Sequence, residues 1–236
     1  MAAGDPSGEA ATLDRALSAI DPDDLRNRSR GDLVYDVLRD AIWEGRIGCG
    51  DRIREEDVAR NLGVSRTPVR EALQRLQQRG LLVNRLGRGL VVAELGKREI
   101  VELYAMREIL EGSAARFAAH HAGAPEIEII ERLQRELAAA PDDAPLLVKL
   151  NHRFHQAIYD AAHNQYLTQT LDALLDAMAL LHAATFRVPS RRKESDEEHR
   201  RIVSAIKRHD PDRAETLARE HIRQAQRTRV EALIGS

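Results

Sequence analysis

The chain is short of several things. It holds one cysteine, Cys49, in 236 residues, which excludes an internal disulfide and a cysteine-rich zinc site. Aromatic residues make up only 3%, and glycine and proline are sparse. A large β-sandwich, whose strands favour aromatic and β-branched residues, is therefore disfavoured against helix. No apolar run approaches 18 residues, so no membrane span is expected. Residues 1–10 carry neither a basic n-region nor an apolar h-region, so no secretory signal is expected and the compartment reads as cytoplasmic. What remains is a globular composition, 43% hydrophobic and 31% charged, rich in Ala, Leu and Arg. The length suits one large domain or two small ones with a core that needs no staples.

The net charge of −2 is unevenly spread. Residues 1–27 hold two arginines against six acidic residues, and residues 28–93 hold thirteen against nine. Between 64 and 93 there are six arginines and one acid, Glu71. Such a patch fits either a polyanion partner or a solvated helix face.

Residues 1–27, with Gly, Ser, Pro and an acidic cluster, read as a mobile tail. A helix follows over about 32–44, then one over 55–62 ended by Gly63. A third opens at Ser65, an N-cap candidate, with Pro68 in its first turn and Val69, Ala72, Leu73 and Leu76 as its apolar stripe. Leu81–Val83 and Leu90–Val92 read as short strands around a tip at Leu86–Gly89. From residue 96 onward helices are predicted at 97–121, 125–139, 144–163, 165–187, 196–209 and 211–232. Asn164 and Asp210 suit N-caps, Pro125 and Pro211 first positions, and Ser195 with Glu198 a capping box. Short connections imply an antiparallel bundle. The fold class is mostly α: a winged helix-turn-helix over 28–93 and a helical bundle over 94–236.

Arg66 and Arg70 are four residues apart, opposite the apolar stripe, in the first two turns of their helix. A recognition helix presents side chains to base edges from that position, and an arginine fork matches guanine O6 and N7. Ser65 and Thr67 hydroxyls with the helix N-terminal amides can hold a phosphate. Gly87 and Gly89 would let the wing approach a duplex, with Arg85 and Arg88 alongside. The competing reading is a helical hairpin with solvated arginines.

The stretch Val64–Leu73, Val-Ser-Arg-Thr-Pro-Val-Arg-Glu-Ala-Leu, with the wing from Gly80 to Gly89, resembles the winged helix-turn-helix of GntR transcription factors. The resemblance implies operator contacts from Ser65, Arg66, Thr67, Arg70 and the wing tip at Gly87, with Arg88 beside it. Some relatives carry a further DNA-contacting arginine where this chain has Glu56, so their operator preference does not transfer.

Three of the nine histidines lie on apolar helix faces: His155 with Ile158 and Ala162, His199 with Ile202, Val203 and Ile206, and His221 with Leu217 and Ala225. Asn151 shares the His155 face, one turn earlier. Buried polar groups need partners, and one divalent ion would serve all four; ordinary hydrogen-bonded core histidines are the alternative.

Residues 97–228 are similar to the ligand-binding FCD domain of the FadR branch of GntR regulators, through Leu103–Glu111, Asn151–His155, Asn164–Leu167, Glu198–Ile202 and His221–Ile222. The resemblance implies a divalent metal on Asn151, His155, His199 and His221, with Asn where Asp is more frequent, and an effector-facing Arg107. Neutral ligands leave the ion's charge uncancelled, so a small organic acid is the expected effector, its carboxylate also met by Arg107. A salt bridge from Arg107 to Glu108 or Glu111 is the competing reading. Zinc is expected, with nickel or manganese as alternatives. The expected protein is a ligand-responsive repressor, a homodimer on double-stranded operator DNA, without enzymatic activity or a membrane partner. A metal-dependent hydrolase, or a DNA-binding protein with a purely structural second domain, are the alternatives.

Overall fold

A computed structural model describes residues 29–181 and 189–234, so the acidic segment 1–27 lies outside the described residues. The chain forms two compact units, divided at Glu94 and Leu95, with the first also taking in a stretch that begins at Asp176. No described helix is long and apolar enough to cross a membrane.

In the first unit, α1 (Arg30–Trp43), α2 (Glu55–Leu62) and α3 (Arg66–Gln78) precede a hairpin of β1 (Leu82–Arg85) and β2 (Gly89–Val92). Helix α1 starts two residues earlier than its apolar pattern because the Ser29 hydroxyl accepts from the Asp32 amide. Helices α2 and α3 are joined through Gly63, whose left-handed φ of 61° closes α2. The α3 stripe of Val69, Ala72, Leu73 and Leu76 is buried, and Val34, Leu38, Val58 and Leu81 are buried with it. The strands pair antiparallel with Leu82 opposite Val92 and Arg85 opposite Gly89. Arg52 bridges Val91 at the hairpin's other edge.

The second unit contains α4 (Lys97–His121), α5 (Ala124–Ala139), α6 (Ala144–Ala161), most of α7 (Gln165–Ala179), α8 (Pro189–Lys207) and α9 (Pro211–Ile234). Glu99 and Glu126 carboxylates accept from the Gly96 and Gly123 amides, fastening the starts of α4 and α5. Asn164 and Asp210 cap α7 and α9 through bonds of 3.1 Å to the Leu167 and Arg213 amides. Helices α4 and α9 run antiparallel. Arg116 late in α4 meets Asp212 and Glu215 at the start of α9, while Glu108 meets Arg223 further along it.

Two boundaries differ from expectation by more than two residues. Helix α7 ends at Ala179 rather than 187, with Leu180 and Leu181 in a turn; residues 182–187 of the expected helix lie outside the described residues. Helix α8 begins at Pro189, so Ser195 is interior and forms no capping box with Glu198. The extra turns are polar, and long-range partners stabilise them: Arg192 donates to the Ala140 carbonyl, and Arg191 reaches Glu198 two turns on. The Ala140 carbonyl lies at the end of α5, and local pattern cannot show that contact.

Gly63 has open space around its missing Cβ, so only its backbone conformation resists substitution. Gly63→Ala should lower stability by about 1 kcal/mol, and Gly63→Asn by less, in urea melts followed by circular dichroism.

Candidate metal centre and nucleic-acid interface

Helices α6, α8 and α9 each send one histidine to a single point. His155, His199 and His221 are all buried, and one ring nitrogen from each lies within 4.8 Å of the other two. The Nε2 atoms of His199 and His221 are 3.3 Å apart. Carboxylates hold two of the rings from behind. His221 Nδ1 sits 2.6 Å from Glu198 Oε2, and His155 Nδ1 sits 3.4 Å from Glu111 Oε2. A ring that donates from Nδ1 to a carboxylate turns the lone pair of Nε2 the other way, the usual backing of a metal-bound histidine.

Both carboxylates are themselves fixed by arginine. Arg191 grips both oxygens of Glu198 at 2.7 and 2.6 Å, and Arg107 Nε donates to Glu111 Oε1 at 2.7 Å. Tyr159 adds a hydroxyl bond of 2.8 Å to Glu111. Burial alone would raise the Glu111 carboxyl, but Arg107, His155 and Tyr159 together hold it below the usual range. Burial would raise Glu198 too; His221 and Arg191 bring it to about 2. Burial pushes His199 well down, helped by repulsion from the other two rings and Arg191. It takes His221 to about 4 despite Glu198. These two imidazoles are thus neutral at pH 7, as ligands must be.

The donor set fits a divalent ion. Three ring nitrogens lie together, and the Nε2 atoms of His199 and His221 at 3.3 Å would otherwise share one proton. The cavity beside His155 and His221 has a volume of ≈ 10 Å³, about one water-sized sphere. Asn151 is half-buried on α6, one turn before His155.

Arg107 is buried and paired with Glu111, with its guanidinium 4.7 Å from the Tyr104 ring centre. Its terminal amino groups make no hydrogen bond among the described residues. Sequence reasoning treated Glu111 only as a rival partner for Arg107 and missed Arg191, Glu198 and Tyr159 as supports. A signal existed for one pair: Arg191 and Glu198 stand seven residues apart, on one face of a helix that also carries His199.

In the first unit, Ser65, Arg66, Thr67 and Arg70 are all exposed along one side of α3. Ser65 has the extended backbone of an N-cap, but its hydroxyl makes no capping bond. The N-terminal amides of α3 and this hydroxyl are left outward for another acceptor. Arg66 Nη2 donates to Glu56 Oε1 at 2.6 Å, and Arg70 donates through Nε and Nη2 to both Glu55 oxygens at 3.2 and 2.9 Å. Gly87 takes a left-handed φ of 76° at the wing tip, with Arg88 exposed next to it.

Residues 31–92 match the gntR family of bacterial regulatory proteins, and residues 102–224 match the FCD domain. The chain belongs to the GntR family of transcriptional regulators. This GntR regulator is 34% identical over 192 residues to a probable D-xylose utilization operon transcriptional repressor of Paenarthrobacter nicotinovorans, covering 80% of this chain and 84% of that one. It is 29% identical to the Glc operon transcriptional activator of Escherichia coli K12, covering 81% and 85%. Among solved structures, E. coli McbR/YncC superposes with a TM-score of 0.79 at 25% identity, covering 86% of this chain and 98% of that one.

The regulator's buried Arg107–Glu111 pair yields a direct test. Glu111→Ala strands a buried guanidinium and should destabilise by about 3–5 kcal/mol in urea titration. The double variant Arg107→Met/Glu111→Leu should recover only part of that loss, because the Tyr159 hydroxyl and His155 Nδ1 still lose their acceptor.

Proposed function

We propose that this GntR regulator is a repressor whose DNA affinity is set by a small organic acid bound at a divalent metal in the FCD domain. The observation that carries the reading is the convergence of three buried imidazoles, two of them backed by Glu198 and Glu111. His155, His199 and His221 would hold the ion, with Asn151 as fourth ligand. Zinc suits this nitrogen-rich set, with nickel or manganese as alternatives. When bound, the ion supplies a positive coordination point for an anionic oxygen. Arg107 would meet the same carboxylate with its terminal amino groups.

The ≈ 10 Å³ cavity beside His155 and His221 holds about one water, so an acid reaching an ion there would favour an arrangement in which the lining helices part. A ligand that binds only the parted arrangement shifts the population toward it. That gives the effector a physical route to change the protein's shape. On the DNA side, Arg66 and Arg70 would read bases. Ser65 and Thr67 would hold phosphate, and Gly87 and Arg88 would bring the wing to the duplex. The working form would be a homodimer on a pseudo-palindromic operator, in the cytoplasm, without catalytic turnover. We place the domain limits at 28–93 and 94–236, after a tail over 1–27. Repression is the role named for the Paenarthrobacter relative; the Glc operon relative is an activator.

Elemental analysis of the full chain after mild dialysis should find about one divalent ion per chain. His155→Ala and His221→Ala should lose it and melt lower, and chelator should lower the wild-type melting point toward theirs. Metal-free wild type whose melting is indifferent to added zinc, nickel and manganese would refute the site.

Switching is tested on a labelled duplex enriched from a randomised library by the wild type. Organic acids that raise the melting temperature of the metal-loaded protein should shift its affinity for this duplex by about 5- to 150-fold. Arg107→Ala strands Glu111 and should melt lower; below its melting point the folded variant should still bind the duplex and ignore the acid. Full response in that variant would place the effector elsewhere.

A further inference from the structure

Helix α2 opens with three acids, Glu55, Glu56 and Asp57. Acids suit a helix N-terminus, and that alone could account for all three. Their partners separate them. Asp57 pairs with Arg60 on its own helix at 2.7 Å. Glu55 and Glu56 instead reach across to α3 and take the two arginines of its exposed face. Arg66 and Arg70 are spent on carboxylates before any nucleic acid arrives.

The manner of pairing matters. Glu55 occupies the side edge of Arg70, its Nε and Nη2. The end of the guanidinium, Nη1 with the second Nη2 hydrogen, stays open, and that fork can bond guanine N7 and O6 end-on. Glu56 likewise takes a single Nη2 bond from Arg66 and leaves its other donors. The Arg70 side chain is 63% exposed while Glu55 is 22% exposed, so the acid anchors and the cation projects. Glu55 is drawn below the usual carboxylate range by its hydrogen bond from Arg70.

A guanine edge and a phosphate meet this arrangement differently. Guanine offers neutral acceptors and needs only the open donors. A phosphate competes for the whole guanidinium charge and is repelled by the carboxylate beside it. We infer that Glu55 and Glu56 are specificity-determining residues, which hold Arg66 and Arg70 for base contacts and suppress their use as generic phosphate anchors. The inference rests on the reading of those arginines as base-contacting.

The test measures binding of the full chain to two labelled duplexes, a random-sequence pool and the duplex enriched by wild type from a randomised library. Glu55→Gln and Glu56→Gln should each tighten the pool by ~3- to 10-fold at low salt and steepen its salt dependence by up to about one ion. The enriched duplex should gain less, so the ratio of enriched to pool affinity falls. Glu56→Asp, which keeps the charge, should keep the low pool affinity of the wild type. An unchanged or increased ratio in both Gln variants overturns the inference. Arg66→Ala and Arg70→Ala are run beside them. Larger losses on the enriched duplex than on the pool uphold base reading, so an unchanged ratio in the Gln variants then counts against the glutamates alone. Equal losses on both duplexes remove the base reading itself and the inference with it. Melting curves of each variant show that affinities compare folded proteins.

Discussion

Three imidazoles converge in the middle of the helical unit, and the surrounding helices are organised by the need to satisfy them. Each ring has two nitrogens, and a buried nitrogen without a partner is costly. Two outer nitrogens are met by Glu198 and Glu111. Those carboxylates are then buried charges of their own, and each takes an arginine, Arg191 and Arg107. The inner nitrogens face each other. One polar centre thus dictates residues on α4, α6, α8 and α9, and it explains why α8 extends two turns beyond its apolar pattern. The turn that carries Arg191 exists to hold Glu198.

The same Arg–Glu chemistry serves opposite ends in the two units, and exposure decides which. Breaking a buried pair strands an uncompensated charge, at a cost of about 3–5 kcal/mol, so Arg107–Glu111 acts as fixed framework. An exposed pair is worth ~0.2–1 kcal/mol, so Arg66–Glu56 can be rearranged by a ligand. A pair in water can hold a side chain in place and still give it up.

Tight packing around the histidines also bears on control. The ≈ 10 Å³ cavity at the histidines holds about one water, so an acid bound to an ion there would favour another arrangement of the side chains that line it. Packed interiors move between discrete arrangements rather than stretching continuously. That is the property a switch requires.

Much of this was legible in the residues. Local rules settled the order of elements, because Gly63, Asn164 and Asp210 act within one turn of their positions. The stripes on α3 and the three histidines on apolar faces were readable because helical period assigns a face to each residue. The left-handed residues His163 and His209 were not foreseen. Each stands where glycine is usual, and each ring has a distant partner, His163 with Glu126 at 2.6 Å and His209 with the Ala119 carbonyl at 2.9 Å. The sequence alone determined the order of the helices, which faces are apolar and which chemistry lies on them. Only the tertiary structure decided that Glu198 backs His221, that Arg107 is committed to Glu111, and that Glu55 and Glu56 close on the arginines of α3. Those pairs join residues on different helices, or choose among several equal neighbours on one. Periodicity assigns a side chain to a face, and packing between helices selects its partner.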